Sequence, residues 1–119
     1  ASPEIVAQAK AIAEKTGVTI VESTELSAAN GADVIYADTW LSMGDDTPLD
    51  VIKEKFMPYQ VNEALMEATG ASYVMHCQPA HRDLEITGSL IDSDKSLLMQ
   101  QAENRMHGQN AILTQLLNA

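Results

Sequence analysis

The sequence predicts an α/β fold, with a parallel sheet of about four strands and helices on both faces. Two observations predict it. Short runs of β-branched and aromatic residues alternate with longer segments whose apolar residues recur at helical spacing. No linker or internal repeat divides the 119 residues, so we expect a single domain over 1–119.

The first predicted helix has recognisable signals at both ends. Ser2-Pro3-Glu4 offers an N-cap, a proline at the first helical position and an acid in the first turn. Apolar residues then continue at helical spacing to Gly17, a residue type that commonly ends helices. We therefore expect the chain to open with a helix that ends at Gly17.

The remaining elements alternate along the chain. Predicted strands cover 18–21, Val34–Ala37, Tyr73–His76 and 96–99. Predicted helices cover 24–31, a stretch that starts at Thr47-Pro48 and is interrupted by Pro58, then 61–68, Gly88–Ile91 and 101–117. This order favours parallel strands, because a parallel pair needs a crossover segment to return the chain.

Composition excludes several classes of function. The net charge is −10, from 17 acidic and 7 basic residues, and no basic cluster appears, so a nucleic-acid partner is not expected. No apolar run approaches the ~20 residues of a membrane span and no signal-peptide pattern is present, so we expect a cytoplasmic protein without a membrane partner. The single cysteine, Cys77, excludes an intrachain disulfide bond.

Two loops that follow predicted strands are rich in chemically active side chains. Ligands of parallel sheets bind beyond the carboxyl ends of the strands. In the first loop, Asp38 and Ser42 lie four residues apart and together suit an ammonium group, while Gly44 permits a close backbone approach. The alternative interpretation is an Asx-type turn with Trp40 packed beneath it.

The second loop runs His76-Cys77-Gln78-Pro79-Ala80-His81-Arg82. Its spacing and the lack of a fourth ligand argue against a structural zinc site, so no metal is expected. A Cys/His nucleophile pair is disfavoured, because adjacent residues at a strand end point in opposite directions. Taken alone, Cys77 is best interpreted as a buried, inert cysteine.

A third cluster opens the last predicted helix. Arg105 and His107 are expected near its N-terminus, where backbone N–H groups and the helix dipole favour anions. Arg105 is able to donate a forked pair of hydrogen bonds to a carbonyl or phosphate oxygen. For Glu103 we favour the alternative interpretation, a solvated helix face.

Taken together, these segments resemble the transcarbamoylases, and specifically the ornithine carbamoyltransferases. The resemblance is carried by residues 33–40 (DVIYADTW), 42–44 (SMG), 59–62 (YQVN), 75–82 (MHCQPAHR) and 102–107 (AENRMH). The Ser-Met-Gly triplet is the ornithine-selective feature. Putrescine carbamoyltransferases lack that triplet, and aspartate carbamoyltransferases differ at both loops.

The resemblance implies the reaction of L-ornithine with carbamoyl phosphate to give citrulline and phosphate, without a cofactor. It implies that Asp38, Ser42 and Met43 hold the amino-acid end of ornithine. Cys77 would lie beside the reacting amine, which the backbone carbonyls of Cys77 and Gln78 would orient. Arg105 would contact the carbamoyl group. The resemblance also implies that the intact enzyme is a homo-oligomer, namely a trimer.

Two departures from the family qualify these expectations. Gln78 stands where the family usually has Leu, which leaves open a carbamoyltransferase paralogue with a different amine substrate. The family's carbamoyl-phosphate domain, with its Ser-Thr-Arg-Thr loop, has no counterpart, and neither has the first strand of the ornithine domain. We therefore expect an incomplete ornithine-binding domain that is inactive alone and is either marginally stable or self-associating. A non-catalytic amino-acid-binding or interaction module is the third alternative.

Overall fold

A computed structural model describes residues 2–41, 44 and 46–118 of the chain. Its α-helices and strands alternate as predicted for an α/β fold. In chain order they are α1 (Pro3–Thr16), β1 (Val34–Ala37), α2 (Leu49–Phe56), α3 (Glu63–Thr69), β2 (Tyr73–His76), α4 (Gly88–Ile91) and α5 (Leu98–Leu117). Two short 3-10 helices, Leu26–Ala29 and Met57–Tyr59, connect them.

Local signals at the helix ends act as the sequence predicts. The Ser2 side chain accepts the Ile5 backbone N–H at 3.4 Å. Gly17 closes α1 with a left-handed φ of 73°, and its N–H donates to the Ala13 carbonyl. In α3, Asn62 caps the first turn by accepting the Leu65 N–H at 2.9 Å. The helix predicted over 61–68 therefore begins two residues later.

β1 and β2 pair in parallel, with Val34 beside Tyr73 and Ala37 beside His76. Because the two strands run in the same direction and end in register, the chain leaves both of them at the same edge of the sheet. Asp38 and Cys77 are the first residues beyond that edge. The topology thus brings the two chemically rich loops together.

The prediction of about four strands is wrong, since the described residues contain two. Residues 18–21 form no strand, and Val18 and Val21 are 59% and 67% exposed. A β-branched run becomes a strand only when a neighbour completes its hydrogen-bond ladder, and no described residue pairs with 18–21. At 96–99, only Ser96 bridges to Val74, because α5 already begins at Leu98.

The hydrophobic core surrounds β2. Its buried members come from the strands, α3, α4, the start of α5 and the loops between them: Ala37, Val61, Met66, Ala71, Val74, Ile86, Leu90 and Leu98. In contrast, α1 buries only Ala13. The packed core therefore lies around the strand that leads to Cys77.

The opposite edge of β1 is open. The Asp33 and Ala37 carbonyls accept hydrogen bonds from the β2 side. Because successive residues of a strand direct their backbone N–H and C=O groups to opposite sides, those of Val34 and Tyr36 face away from β2. Within the described residues, β1 pairs with β2 alone. A cleft of about 360 Å³ adjoins β1, and its lining includes the apolar side chains of Val21, Leu26 and Ile35.

Candidate functional site

The two strand-end loops meet through a direct contact between side chains. The Cys77 thiol donates a hydrogen bond to Asp38 Oδ1, with Sγ and Oδ1 3.0 Å apart. The same carboxylate oxygen accepts the Thr39 backbone N–H at 2.8 Å. Cys77 and Asp38 are 39 positions apart in the chain, and the in-register pairing of β1 and β2 brings them together.

This contact favours the carboxylate form of Asp38, and together with burial it favours the thiol form of Cys77. The hydrogen bond from Cys77, followed by that from the Thr39 N–H, holds the pKa of the Asp38 carboxyl below its usual range. Burial, followed by the hydrogen bond to Asp38, raises the pKa of the Cys77 thiol. At neutral pH the pair is therefore a carboxylate and a thiol. Because the thiolate is the nucleophilic form of cysteine, this geometry does not activate Cys77 as a nucleophile.

A second contact links the same loops farther from the strands. Thr39 Oγ1 lies 3.5 Å from Nδ1 of His81. The Thr39 hydroxyl also donates to the Leu41 carbonyl at 3.1 Å, which shapes the turn that follows Asp38. The first loop is thus held against the second at two points.

The turn after β2 is built on a buried histidine. The His76 ring is fully buried, and its Nδ1 accepts the Gln78 backbone N–H at 2.8 Å. Since Nδ1 acts as an acceptor, Nε2 carries the ring proton and donates to Glu85 Oε1 at 3.0 Å. Gln78 adopts a left-handed φ of 60°, a conformation that costs a residue with a side chain about 1–2 kcal/mol. The imidazole stabilises this turn.

The far end of the second loop is anchored on α4. The Arg82 guanidinium donates two hydrogen bonds to the Asp92 carboxylate, at 2.6 and 2.7 Å. Asp83 accepts the Gly88 N–H at the start of α4, at 2.8 Å. Arg82 therefore has a structural partner, and its guanidinium is occupied away from the Asp38–Cys77 contact.

A small cavity of about 160 Å³ adjoins Cys77. It is lined by His76, Cys77, Gln78, Gln101, Ala102 and Arg105. Gln101 and Arg105 lie one turn apart on α5, and Gln101 Oε1 accepts the His76 backbone N–H at 3.2 Å. Three of the predicted site residues, Cys77, Gln78 and Arg105, therefore share one cavity.

The predicted position of Arg105 near a helix N-terminus is wrong. The helix begins at Leu98 and not at 101, so Arg105 is its eighth residue and lies beyond the reach of the free N–H groups of the first turn. Its attraction for anions rests on the guanidinium charge alone. In the described part of the chain no carboxylate pairs with that guanidinium, whereas His107 lies 3.4 Å from Glu103.

A larger cleft of about 620 Å³ is lined in part by Asp38 and Thr39 of the first loop. Trp40 forms part of its wall and stacks on Phe56 with ring centroids 5.8 Å apart. Lys55 also lines this cleft, with its Nζ 5.3 Å from the centroid of the Phe56 ring. Trp40 thus packs against Phe56 of α2. The Asp38 carboxylate nevertheless remains exposed to solvent.

Two of the predicted site residues, Ser42 and Met43, lie outside the described residues. Two other residues at the site received no role from the sequence. Glu85 is 1% exposed and holds the second loop from within, and Gln101 connects α5 to β2. A signal for Glu85 was present, since its neighbours Leu84 and Ile86 are apolar residues in an otherwise polar loop, and both are buried.

Neither a metal centre nor a membrane-spanning helix is found in the part of the chain that the structure describes. Across residues 2–41, 44 and 46–118, no three His, Cys, Asp or Glu side chains converge in a way that suits a metal ion. Within the same ranges, no helix combines the length and the apolar character needed to cross a bilayer. His76 and Cys77 are instead occupied by hydrogen bonds to neighbouring protein groups.

Comparison with known proteins confirms the resemblance. Residues 1–116 match the family model of the aspartate/ornithine carbamoyltransferase Asp/Orn binding domain. The ornithine carbamoyltransferase of Vibrio sp. (strain 2693) is 58% identical over 114 residues, which cover 96% of this chain and 38% of that protein. The ornithine carbamoyltransferase of Moritella abyssi is 57% identical over 114 residues, which again cover 96% of this chain and 38% of that protein.

Solved structures agree with the sequence matches. Ornithine carbamoyltransferase from Pyrococcus furiosus superposes with a TM-score of 0.83 at 37% identity, over 94% of this chain and 36% of that one. The anabolic ornithine carbamoyltransferase from Campylobacter jejuni superposes with a TM-score of 0.86 at 28% identity, over 98% of this chain and 39% of that one. The chain thus spans about 38% of the length of the curated relatives it matches. It belongs to the aspartate/ornithine carbamoyltransferase family, within which it matches the Asp/Orn binding domain.

Proposed function

We propose that this chain forms the ornithine-binding side of a carbamoyltransferase active site. In the complete enzyme, the side-chain amine of L-ornithine attacks the carbamoyl carbon of carbamoyl phosphate, phosphate leaves, and the amine loses a proton to give citrulline. The observation that carries the proposal is the contact between Asp38 and Cys77 at the sheet edge, beside the cavity that Arg105 lines. Substrate-binding residues of the family match both loops.

The reaction requires a specific contribution from each group of the site. A free ornithine side-chain amine resembles lysine, with a pKa of about 10.4, so it arrives protonated and non-nucleophilic. The site must remove that proton and hold the nitrogen against the carbamoyl carbon. Asp38 is an ionised carboxylate that attracts the ammonium groups of the ligand. The backbone carbonyls of Cys77 and Gln78 are the proposed acceptors that orient the reacting amine.

Arg105 and Cys77 assist the reaction without forming a covalent intermediate. The guanidinium of Arg105 polarises the carbamoyl carbonyl and stabilises the negative charge that develops on its oxygen. Cys77 remains a thiol donor to Asp38 and fixes the direction of that carboxylate. Because Sγ and Oδ1 are only 3.0 Å apart, a ligand that contacts both groups lies beside the pair and not between them. Ser42 and Met43 stay predicted contacts of the amino-acid end.

A second candidate is a carbamoyltransferase for a modified amine substrate. Gln78, which lines the cavity next to Cys77, stands where the family usually has Leu. A solved N-acetyl-L-ornithine transcarbamylase superposes on this chain with a TM-score of 0.79 at 29% identity. The ornithine carbamoyltransferases reach 58% identity, which supports free L-ornithine as the first choice. A non-catalytic binding module is the third candidate.

Calorimetric titration of the chain separates these candidates. We expect weak binding of L-ornithine and weaker binding of N-acetyl-L-ornithine. Asp38→Asn should abolish the heat signal, whereas Asp46→Asn removes the same charge from an exposed neighbour and should leave it intact. Preference for the acetylated ligand would favour the paralogue, and no binding of either would favour an interaction module.

An activity assay tests whether this chain supplies only one side of the active site. The arginine-bearing phosphate loop that the family uses has no counterpart in this sequence, so we expect no citrulline from the chain alone with both substrates. Citrulline formation by the isolated chain would contradict the proposed role as one side of a larger site. The trimeric assembly and the cytoplasmic location stay predictions from the family resemblance.

A further inference from the structure

One asparagine of this chain is followed directly by a glycine. Only Asn30, among the asparagines of the sequence, has such a neighbour, and the pair Asn30-Gly31 lies in the turn between the 3-10 helix Leu26–Ala29 and β1. Both residues are exposed to solvent. Because glycine has no Cβ, its backbone nitrogen is able to approach the preceding side chain closely. The turn thus combines an accessible side-chain amide with an unhindered backbone nitrogen.

This combination permits a reaction between the asparagine side chain and the backbone. The Gly31 nitrogen attacks Cγ of Asn30, a bond forms between these two atoms, and the bond from Cγ to Nδ2 breaks. Nδ2 leaves as ammonia and takes up the proton that the Gly31 nitrogen loses. Water then opens the cyclic imide at either of its carbonyl groups. The product has aspartate or isoaspartate at position 30, and isoaspartate adds a methylene group to the backbone.

The folded turn opposes this reaction. Asn30 has an extended ψ of 131°, which does not place the Gly31 nitrogen over the side-chain carbonyl carbon. The Gly31 N–H donates to the Thr69 carbonyl, with N and O 2.8 Å apart, so the attacking nitrogen is held against α3. The Asn30 N–H donates to the Ser27 carbonyl at 3.1 Å, which fixes the turn from its other side. Closure of the imide ring therefore requires the turn to detach from α3.

The attachment to α3 depends on a short helix. Thr69, whose carbonyl accepts the Gly31 N–H, is the last of the 7 residues of α3. A helix of this length is not stable by itself and relies on its cap and its packing. The Asn62 side chain supplies that cap, and Met66 packs into the core. Opening of α3 and release of the Gly31 nitrogen should therefore occur together.

We propose that Asn30-Gly31 is a site of spontaneous deamidation whose rate is set by the hydrogen bond from Gly31 to Thr69. Water is the only co-reactant. The modified residue lies shortly before β1, the strand that leads to Asp38. A methylene group added there lengthens the backbone where the chain enters the sheet, and the new carboxylate lies near the C-terminal end of α3, which disfavours negative charge. The proposal does not depend on the function proposed above.

Peptide mapping by mass spectrometry measures the reaction at Asn30. The chain is incubated at pH 8, once folded and once in guanidinium chloride, and isoaspartate is quantified in the peptide that contains Asn30-Gly31. We expect the rate in guanidinium chloride to be at least about tenfold higher than in the folded chain. Asn110, which Ala111 follows in α5, is the internal control and should react slowly in both states. Asn30→Gln should suppress the reaction, because its longer side chain closes a less favourable ring.

A pair of cap variants tests whether α3 sets the rate. Asn62→Ala removes the hydrogen bond to the Leu65 N–H and should speed deamidation at Asn30 about fivefold, as expected for the loss of one N-cap. Ser2→Ala is the matched control, since it removes the corresponding bond to the Ile5 N–H from α1. The rate at Asn30 should be unchanged in the Ser2→Ala chain.

Three outcomes would overturn the proposal: equal rates at Asn30 in the folded and the unfolded chain, no isoaspartate at Asn30 in guanidinium chloride, or equal acceleration by the two cap variants. If Asn62→Ala fails to fold, the comparison of the folded and the unfolded wild-type chain decides the question.

Discussion

Two regions of this molecule differ sharply in how they are packed. Residues 61–98 supply seven of the eight members of the core cluster, and they also carry Cys77, Gln78 and Glu85. The outer elements, α1 and most of α5, bury almost nothing: Ile12 is 62% exposed and Leu117 is 84% exposed. The second loop of the candidate site thus stands on the region that this chain packs by itself, whereas the outer helices present apolar surfaces that suit further contacts.

The largest expected difference between the regions is in the stability lost when an isoleucine is replaced by alanine. Ile86→Ala empties a fully buried position next to Glu85 and should lower the free energy of unfolding by about 2–5 kcal/mol. Ile12→Ala is the matched change in α1 and should stay within about 0.5 kcal/mol of the wild-type value. Urea unfolding followed by circular dichroism measures both. Equal losses at the two positions would show that α1 is packed as firmly as the core.

Self-association is the next expected effect, and it follows from the open edge of β1. An exposed sheet edge beside apolar side chains is a template for pairing with another chain. Light scattering of the 12.9 kDa chain should therefore show species larger than a monomer. Val34→Lys, on the open edge, should shift the chain toward the monomer by adding a charge there.

The control for this effect lies in the neighbouring strand. Tyr73 is the register partner of Val34 and is 46% exposed, but Ser96 bridges to the edge of β2 next to it. Tyr73→Lys makes the same change in net charge as Val34→Lys and should leave the association unchanged. A wild-type chain that is monodisperse, stable and monomeric would contradict the prediction, and the outer surfaces would then need no partner.

The elements of the fold differ in how far their structure follows from sequence. Local signals were sufficient for α1, where Ser2 and Gly17 mark the ends, and for β1 and β2, whose β-branched and aromatic runs pair in parallel. Residues 18–21 have the same local character and still form no strand. The difference is the presence of a hydrogen-bonding neighbour, which is a tertiary property and leaves no mark on the run itself.

The candidate site shows the same division between local and tertiary information. The convergence of the Asp38 and Cys77 loops follows from parallel pairing and was predictable. The hydrogen bond between their side chains depends on the register of the strands. After burial, it is the second cause of the raised pKa of the Cys77 thiol. Glu85 was not predicted, because a carboxylate is normally exposed and only the packing of its apolar neighbours draws it inside.

A smaller effect is expected in the reactivity of Cys77. Burial and the Asp38 carboxylate both raise the pKa of the thiol, so the wild-type chain should react slowly with iodoacetamide at pH 8. Asp38→Asn removes the second cause and should speed alkylation about two- to fivefold. Burial remains, so the rate should stay below that of the unfolded chain. Asp46→Asn controls for the loss of charge, and an equal increase in that variant would argue against a specific Asp38–Cys77 contact.

The smallest effect is the pH dependence of stability that this pair produces. The pKa of Asp38 is lowered in the folded state, so its contribution is present above the unfolded value near 4 and is lost as the pH falls through the folded value. The pKa of Cys77 is raised, so its contribution is present below the unfolded value near 8.5 and is lost as the pH rises through the folded one.

Both contributions therefore coincide only between about pH 4 and pH 8.5. Because Asp38 is exposed, solvent screens the interaction, and the Asp38→Asn chain should differ from the wild-type chain by less than about 1 kcal/mol at pH 7. Urea unfolding at pH 3 and pH 7 checks the sign, since the difference should shrink at the lower pH. A difference that grows on acidification would mean that the carboxyl accepts no stabilising hydrogen bond from Cys77, which would leave the Thr39–His81 contact as the side-chain link between the two loops.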